Sequence, residues 1–266
     1  MLNALLGRRL QGKLGFLPSF AAAMAYYFLV ALVPFLIVVS RGASSVFSSN
    51  LTPELLAFLR EILPPESAFS VDAIADSLGQ GSNKLAAAST VLAIWTASSG
   101  LNEMTRAVHF LFSDPEKPNA GGLRRRGKAF GVLAIWVLAI IGVAVSFVAL
   151  PALQRELGGA SFLPRGLTSG YRYPAAFTML FAAFASTYVF VPQKSPSWKA
   201  AAAGAGIASA CWSGVSLLFS YFLPHVWHVS VFHGALSSVL AVLIWAYCGA
   251  WGVLIGAVVT VRVDEK

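Results

Sequence analysis

Six long apolar stretches alternate with polar gaps along the chain, each stretch about as long as a bilayer is thick. The first covers about residues 18–40, "PSFAAAMAYYFLVALVPFLIVVS", and holds no charge. The others fall at about residues 85–104, 129–150, 173–191, 200–223 and 234–261. An uninterrupted apolar run of roughly 18 or more residues signals a membrane helix, because about 20 residues at 1.5 Å each cross the roughly 30 Å hydrocarbon layer. The first, third and sixth stretches meet that test strongly. The second and fifth are richer in Ala, Ser and Gly and give a softer signal. The fold class this predicts is all-α: one polytopic membrane domain over residues 1–266 with six transmembrane helices.

Charge orients the spans. Basic residues cluster in every second gap, thirteen on one side against six on the other. Arg8, Arg9 and Lys13 precede span one; Arg106, Lys117, Arg124, Arg125, Arg126 and Lys128 follow span two; Lys194 and Lys199 follow span four; Arg262 and Lys266 follow span six. Excess Lys and Arg in short connections marks the cytoplasmic face, so both tails are expected in the cytoplasm of a bacterial inner membrane, and six spans agree with that parity. The N-terminal apolar run is too long for a signal-peptide core, and no small-residue cleavage site follows it.

The gap at residues 41–84 faces outward. "TPELLAFLREIL" (52–63) predicts a short amphipathic helix, with Thr52 as N-cap, Pro53 in the first turn and Glu54 near the positive dipole end. "ESAFSVDAIADSLGQG" (66–81) predicts a second, ending at Gly79 or Gly81. Their acidic residues favour capping the bundle over lying on anionic lipid.

Composition changes this picture little. Hydrophobic residues make up 57% of the chain and charged residues 11%, with a mean hydropathy of +0.72. A soluble domain carries about 25% charged residues. The net charge of +8 would suggest nucleic-acid binding in a soluble protein. Here it is accounted for by topology, and no aromatic residues interleave the basic ones, so no nucleic-acid partner is expected. Cys211 and Cys248 lie inside apolar stretches without metal-ligand spacing. His225, His228 and His233 cluster before span six with no acidic residue near them, so neither metal nor cofactor is expected.

"AAAMAYYFLVALVPFLIVV" (21–39) resembles the first-span motif of the YihY/BrkB family, once called ribonuclease BN-like. "IWTASSGLNEMTRAVHFLF" (94–112) resembles its second-span motif, and the segments 188–222 and 231–257 resemble its C-terminal half. The resemblance covers most of the chain in the right order. It implies a six-helix bacterial inner-membrane protein, for whose relatives transport or envelope roles have been proposed. The chain departs from the family pattern at His109, usually Asn; at Val189, usually Arg after the span-four tyrosine Tyr188; at Val258, where an acidic residue is common; and at Phe232–His233, where the family has Tyr before Gly. Each change at 189 and 258 removes a charge from the bundle interior.

Polar groups inside spans are costly and therefore informative. Span two carries Trp95, Thr96, Ser98, Ser99 and Asn102; span five carries Ser209, Trp212, Ser213 and Ser216. Such residues either let helices pack closely or line a polar pathway between spans two and five. Pro34 breaks the hydrogen-bond ladder of span one, as static shape or as a hinge, with Tyr26 and Tyr27 about two turns before it. Gly204, Gly252 and Gly256 mark close helix packing, within one bundle or between subunits of a homo-oligomer. Arg124, Arg125, Arg126 and Lys128 could also hold anionic lipid head groups. Glu103 and Arg106, at i,i+3, could pair at the cytoplasmic interface.

The sequence offers no catalytic constellation. A metal-dependent nuclease needs clustered His, Asp or Glu, which the cytoplasmic gaps do not supply. The expectation is a protein that moves a lipid or other amphiphilic solute, with membrane lipids as partners. The alternative is a non-transporting envelope protein that organises partners.

Overall fold

The computed structural model describes residues 12–46, 83–113, 122–144, 172–192, 194–226 and 234–265, with Ser146 and Gly170 besides. Among them helix is the only regular secondary structure. Six long helices follow one another: α1 (Leu17–Val46), α2 (Asn83–Phe112), α3 (Gly122–Ala144), α4 (Arg172–Phe190), α5 (Trp198–Val226) and α6 (Gly234–Asp264). The two short outer helices expected at residues 52–63 and 66–81 lie outside the described residues, as do His228 and His233.

The helices differ from the expected spans mainly at their ends. α2 continues eight residues past Met104, through "TRAVHFLF". Charge at Arg106 hides this extension from a hydropathy reading, but Ala107, Val108 and Leu111 sit on one face and are buried beside Leu17 and Ala21 of α1. α3 starts at Gly122, seven residues early, so Arg124, Arg125, Arg126 and Lys128 belong to its first two turns. α1 runs unbroken through Pro34, which is buried. By length and composition four of the helices are apolar enough to cross a membrane: those at Gly12–Leu32, Tyr173–Phe190, Trp198–Tyr221 and Val239–Asp264. α3 contributes a shorter apolar stretch, Ala134–Val143, and α2 is diluted by Ser, Thr and Asn. This is an all-α, multi-helix membrane architecture.

Packing follows a simple row. α3 lies against α4, α4 against α5, α5 against α6, α6 against α1, and α1 against α2; the row curls so that α2 also touches α6 and α4. The α5–α6 pair is the most extensive of these contacts. Residue pairings show that neighbours run antiparallel: Lys13 meets Ser113, Trp136 meets Thr187, and Gly204 meets Gly256. The start of α1, the ends of α2, α4 and α6 and the start of α5 therefore share one end of the bundle, here called the tail end.

Candidate functional site

The tail half of the bundle is sealed by small residues. α5 begins "WKAAAAGAGIASA", and its Ala201, Gly204, Ala205 and Ala208 are all buried. They face the "GAWGVLIGAVVT" segment of α6 at backbone distance. A Cβ added at Gly256 would lie 2.6 Å from the Gly204 carbonyl oxygen, 2.7 Å from the Tyr188 hydroxyl and 2.8 Å from Ala208 Cβ. One added at Gly204 would collide with Thr260 Oγ1 and the Gly256 carbonyl. Gly252 meets Cys211 in the same way, at 2.8 Å. The glycines thus serve the α5–α6 crossing of this bundle, the close approach that small-xxx-small patterns permit.

Tyr188 locks α4 onto that crossing. Its ring is fully buried, and its hydroxyl donates to the Val253 carbonyl at 2.6 Å, occupying the space that a side chain at 256 would need. Two charged residues tie helix ends together at the same end. Lys13 Nζ donates to the Ser113 and Leu111 carbonyls at 2.7 and 3.2 Å and lies 5.5 Å from the centre of the Phe110 ring. Phe16 and Phe20 flank that ring. Asp264, at the end of α6, accepts from the Ser197 backbone N–H at 2.6 Å, while Ser197 Oγ caps α5 through the Ala200 N–H.

Half-way along the bundle the small residues give way to a layer of rings. Trp212 of α5 touches Phe28 of α1, Trp245 of α6 and Phe184 of α4, with centroids 6.5, 5.6 and 6.5 Å away. Phe28 and Trp245 are 5.5 Å apart, and Trp136 of α3 stands edge-on to Phe184 at 5.5 Å. Five helices meet in this layer. Two of its indoles find acceptors: Trp136 donates to Thr187 Oγ1 at 3.0 Å and Trp245 donates to Ser216 Oγ at 3.3 Å. The Trp212 ring lies over Gly249, where a Cβ would come within 2.7 Å of it.

Beyond the layer the bundle is no longer closed on α4 and α5. On α4 every residue from Ala183 to Tyr188 is buried, and none from Tyr173 to Ala182 is. On α5 no residue from Ala210 to Tyr221 is buried, and Tyr221 is 73% exposed. Aromatic and aliphatic groups therefore stand open over the outer half of these helices.

The expected pathway residues divide between these zones. Ser209, Trp212, Ser213 and Ser216 line α5 from the sealed half up through the ring layer, with Tyr188 beside them on α4. Tyr26, Trp95, Ser98 and Asn102 stand on the exposed faces of α1 and α2, with Trp95 70% exposed. Tyr27 packs against Gly100. α2 and α5 are not partners in the row; α1 and α6 lie between them. Most hydroxyls bond back to their own helix: Thr96 to Leu92, Ser99 to Trp95, Thr105 to Leu101, Ser216 to Trp212 and Thr260 to Gly256. Ser209 Oγ, fully buried, is left without a partner. Glu103 and Arg106 pair at 2.8 Å, the arginine mostly exposed. Arg124, Arg125, Arg126 and Lys128 are placed by the backbone alone. Among the described residues no three His, Cys, Asp or Glu side chains gather as a metal site.

Sequence reasoning did not single out Phe28, Trp136, Phe184 and Trp245, or the bonds of Lys13 and Asp264. A faint signal existed for the last. An aspartate at a helix C-terminus opposes the dipole of its own helix, which points to a partner elsewhere.

Comparison with known proteins agrees with this architecture. The family model described as virulence factor BrkB matches residues 15–266, and the chain belongs to that family. It is 25% identical over 256 residues to the ribonuclease-like protein YfkH of Bacillus subtilis (strain 168), covering 93% of this chain and 90% of the relative. It is 23% identical over 250 residues to the UPF0761 membrane protein MS0032 of Mannheimia succiniciproducens, covering 90% and 82%. A UPF0761 membrane protein of Janthinobacterium sp. (strain Marseille) is 24% identical over 255 residues; there the match spans 92% of this chain but only 55% of the relative. No solved structure matches.

Proposed function

We propose that this member of the BrkB family moves a lipid or other amphiphilic solute within or across the bacterial inner membrane, with both tails in the cytoplasm. The multi-helix membrane architecture is common ground with the UPF0761 relatives; the activity is the further step. The observation that carries it is the change in burial along α4 and α5. Six consecutive buried residues on α4 are followed by ten with none buried, and α5 changes in parallel at Ala210. A bundle that served only as an anchor would gain by packing along its whole length. Here two helices are closed at one end and open at the other, with a five-helix ring layer between.

The chemistry of the open half suits an amphiphile. Leu217, Leu218, Phe177 and Tyr221 offer apolar and aromatic surface, and Ser213 and Thr178 add hydroxyls. Acyl chains need no polar partner, while a head group drawn into the bilayer needs hydroxyls or water near its path. The basic start of α3, at the tail side, would meet anionic head groups in the cytoplasmic leaflet at about 1 kcal/mol per charge.

The test is reconstitution of the purified chain in liposomes with head-group-labelled phospholipids. Movement between leaflets faster than in protein-free vesicles is expected. Rates equal to those of empty vesicles for every envelope lipid tried would sink the proposal, and metal-dependent cleavage of RNA by the same preparation would redirect it to an enzyme.

A further inference from the structure

The two ties at the tail end differ from the other contacts that close it in being made by charged side chains. The rest of the seal is small-residue packing, the Phe16–Phe20–Phe110 rings and the buried Tyr188–Val253 bond. Lys13 and Asp264 instead hold particular helix ends. Lys13 sits before α1 and reaches the Leu111 carbonyl in the last turn of α2 and the Ser113 carbonyl just past it, at the negative end of that helix's dipole. Asp264 ends α6 and reaches the first amide before α5, the positive end of that dipole. A cation is thus set against a helix C-terminus and an anion against a helix N-terminus. Both are across a helix pair, α1–α2 and α5–α6, and both are at the end opposite the open half.

We propose that these two ties form a latch that holds the tail end shut, and that the bundle described here is the state closed at the tail and open at the outer half. Releasing the latch lets the starts of α1 and α5 swing from the ends of α2 and α6, with the ring layer around Trp212 as the pivot. This inference rests on the transport reading for its purpose, but not for its test.

The experiment places a reporter in the sealed half, on Ala205, which is fully buried. The full chain carrying Ala205→Cys is reconstituted in liposomes and treated with a sulfonated, membrane-impermeant maleimide. Peptide mass spectrometry then separates labelling at 205 from that at Cys211 and Cys248. With Lys13→Ala and Asp264→Ala together, labelling at 205 is expected to run about tenfold faster than with both ties intact, and each single variant to fall between. An unchanged rate in a double variant that elutes as the parent does would overturn the latch. Should the double variant not fold, Lys13→Gln and Asp264→Asn are each judged on the same scale, and no acceleration in either counts against it. Lipid movement plays no part in this readout. A latch that opens in a protein moving no lipid upholds this inference and defeats the transport reading; lipid movement with labelling indifferent to both ties does the reverse.

Discussion

Gly256→Ala isolates the claim that the α5–α6 crossing is set by backbone contact. The new Cβ would stand 2.6 Å from the Gly204 carbonyl oxygen, 2.7 Å from the Tyr188 hydroxyl and 2.8 Å from Ala208 Cβ. Ordinary contacts at a methyl group need about 3.4 Å or more, so relief requires several tenths of an ångström at three points at once. Two of the three are a backbone oxygen and a Cβ, which cannot rotate away. The helices must separate, and a gap of 0.5–1 Å forfeits roughly a quarter to a half of each dispersion contact along the seam. Overpacking of this kind costs about 1–3 kcal/mol, and helix propensity returns at most about 1 kcal/mol for Gly→Ala. The net expectation is a loss of about 1 kcal/mol. Gly252→Ala meets one close atom, Cys211 Cβ at 2.8 Å, and should lose less. Gly214→Ala meets nothing within 4 Å and should be neutral or stabilising. Unfolding midpoints in mixed detergent micelles of increasing SDS fraction should rank the three variants in that order. If Gly256→Ala proves as stable as Gly214→Ala, the close crossing is not what holds α5 to α6.

Three further outcomes follow from the same geometry. Tyr188→Phe removes the donor to Val253 but leaves no buried group unsatisfied, so a loss of about 1 kcal/mol is expected in the same assay, against roughly 3–5 kcal/mol for Tyr188→Ala, which also opens a cavity. Ser216→Ala strands the indole N–H of Trp245, which is only 3% exposed; it should cost about 1–2 kcal/mol, whereas Ser213→Ala on the same helix should cost close to nothing. Reporter fusions at the two tails should be active on the same, cytoplasmic face, and opposite faces would refute the six-span topology.

How far the chain could be read depended on the range of the physics involved. Burial in lipid is a property of a run of residues, so α4, α5 and α6 stood in the sequence to within a few residues of where they lie. The extension of α2 did not. Thr105–Phe112 contains Arg106 and His109, and only the presence of Leu17 and Ala21 on α1 makes its other face worth burying. Gly252 and Gly256 announced a close approach, but a spacing cannot say which helix approaches; Gly204 and Ala208 across the seam decide that. The polar residues of spans two and five suggested a path between those spans. The row order places α1 and α6 between them, and the back-bonding of Thr96, Ser99 and Ser216 spends their hydroxyls locally. The ring layer was beyond reach, because five helices contribute its members and no sequence interval relates Phe28 to Trp245.

Why one end closes and the other does not can nevertheless be traced to side-chain volume along single helices. From Ala200 to Ala210, α5 carries only Ala, Gly and Ser apart from Ile207, and over that length it approaches α6 to backbone contact. From Val215 it turns to Leu217, Leu218, Phe219 and Tyr221, and of these Leu217, Leu218 and Tyr221 stand exposed, away from the seam. α6 shows the same gradient in reverse chain direction, with Leu240, Leu243 and Ile244 toward its start and Gly249, Ala250, Gly252, Gly256 and Ala257 toward its end. The pair is antiparallel, so small meets small at the tail end. Ridges of small residues bring axes together, and the α5–α6 seam is closest where both helices carry them. Trp212 and Trp245 stand where the gradients cross, too large for the seam and partnered by each other there. The closed end and the ring layer that borders it are therefore two consequences of one ordering of side-chain size, written twice in the last third of the chain.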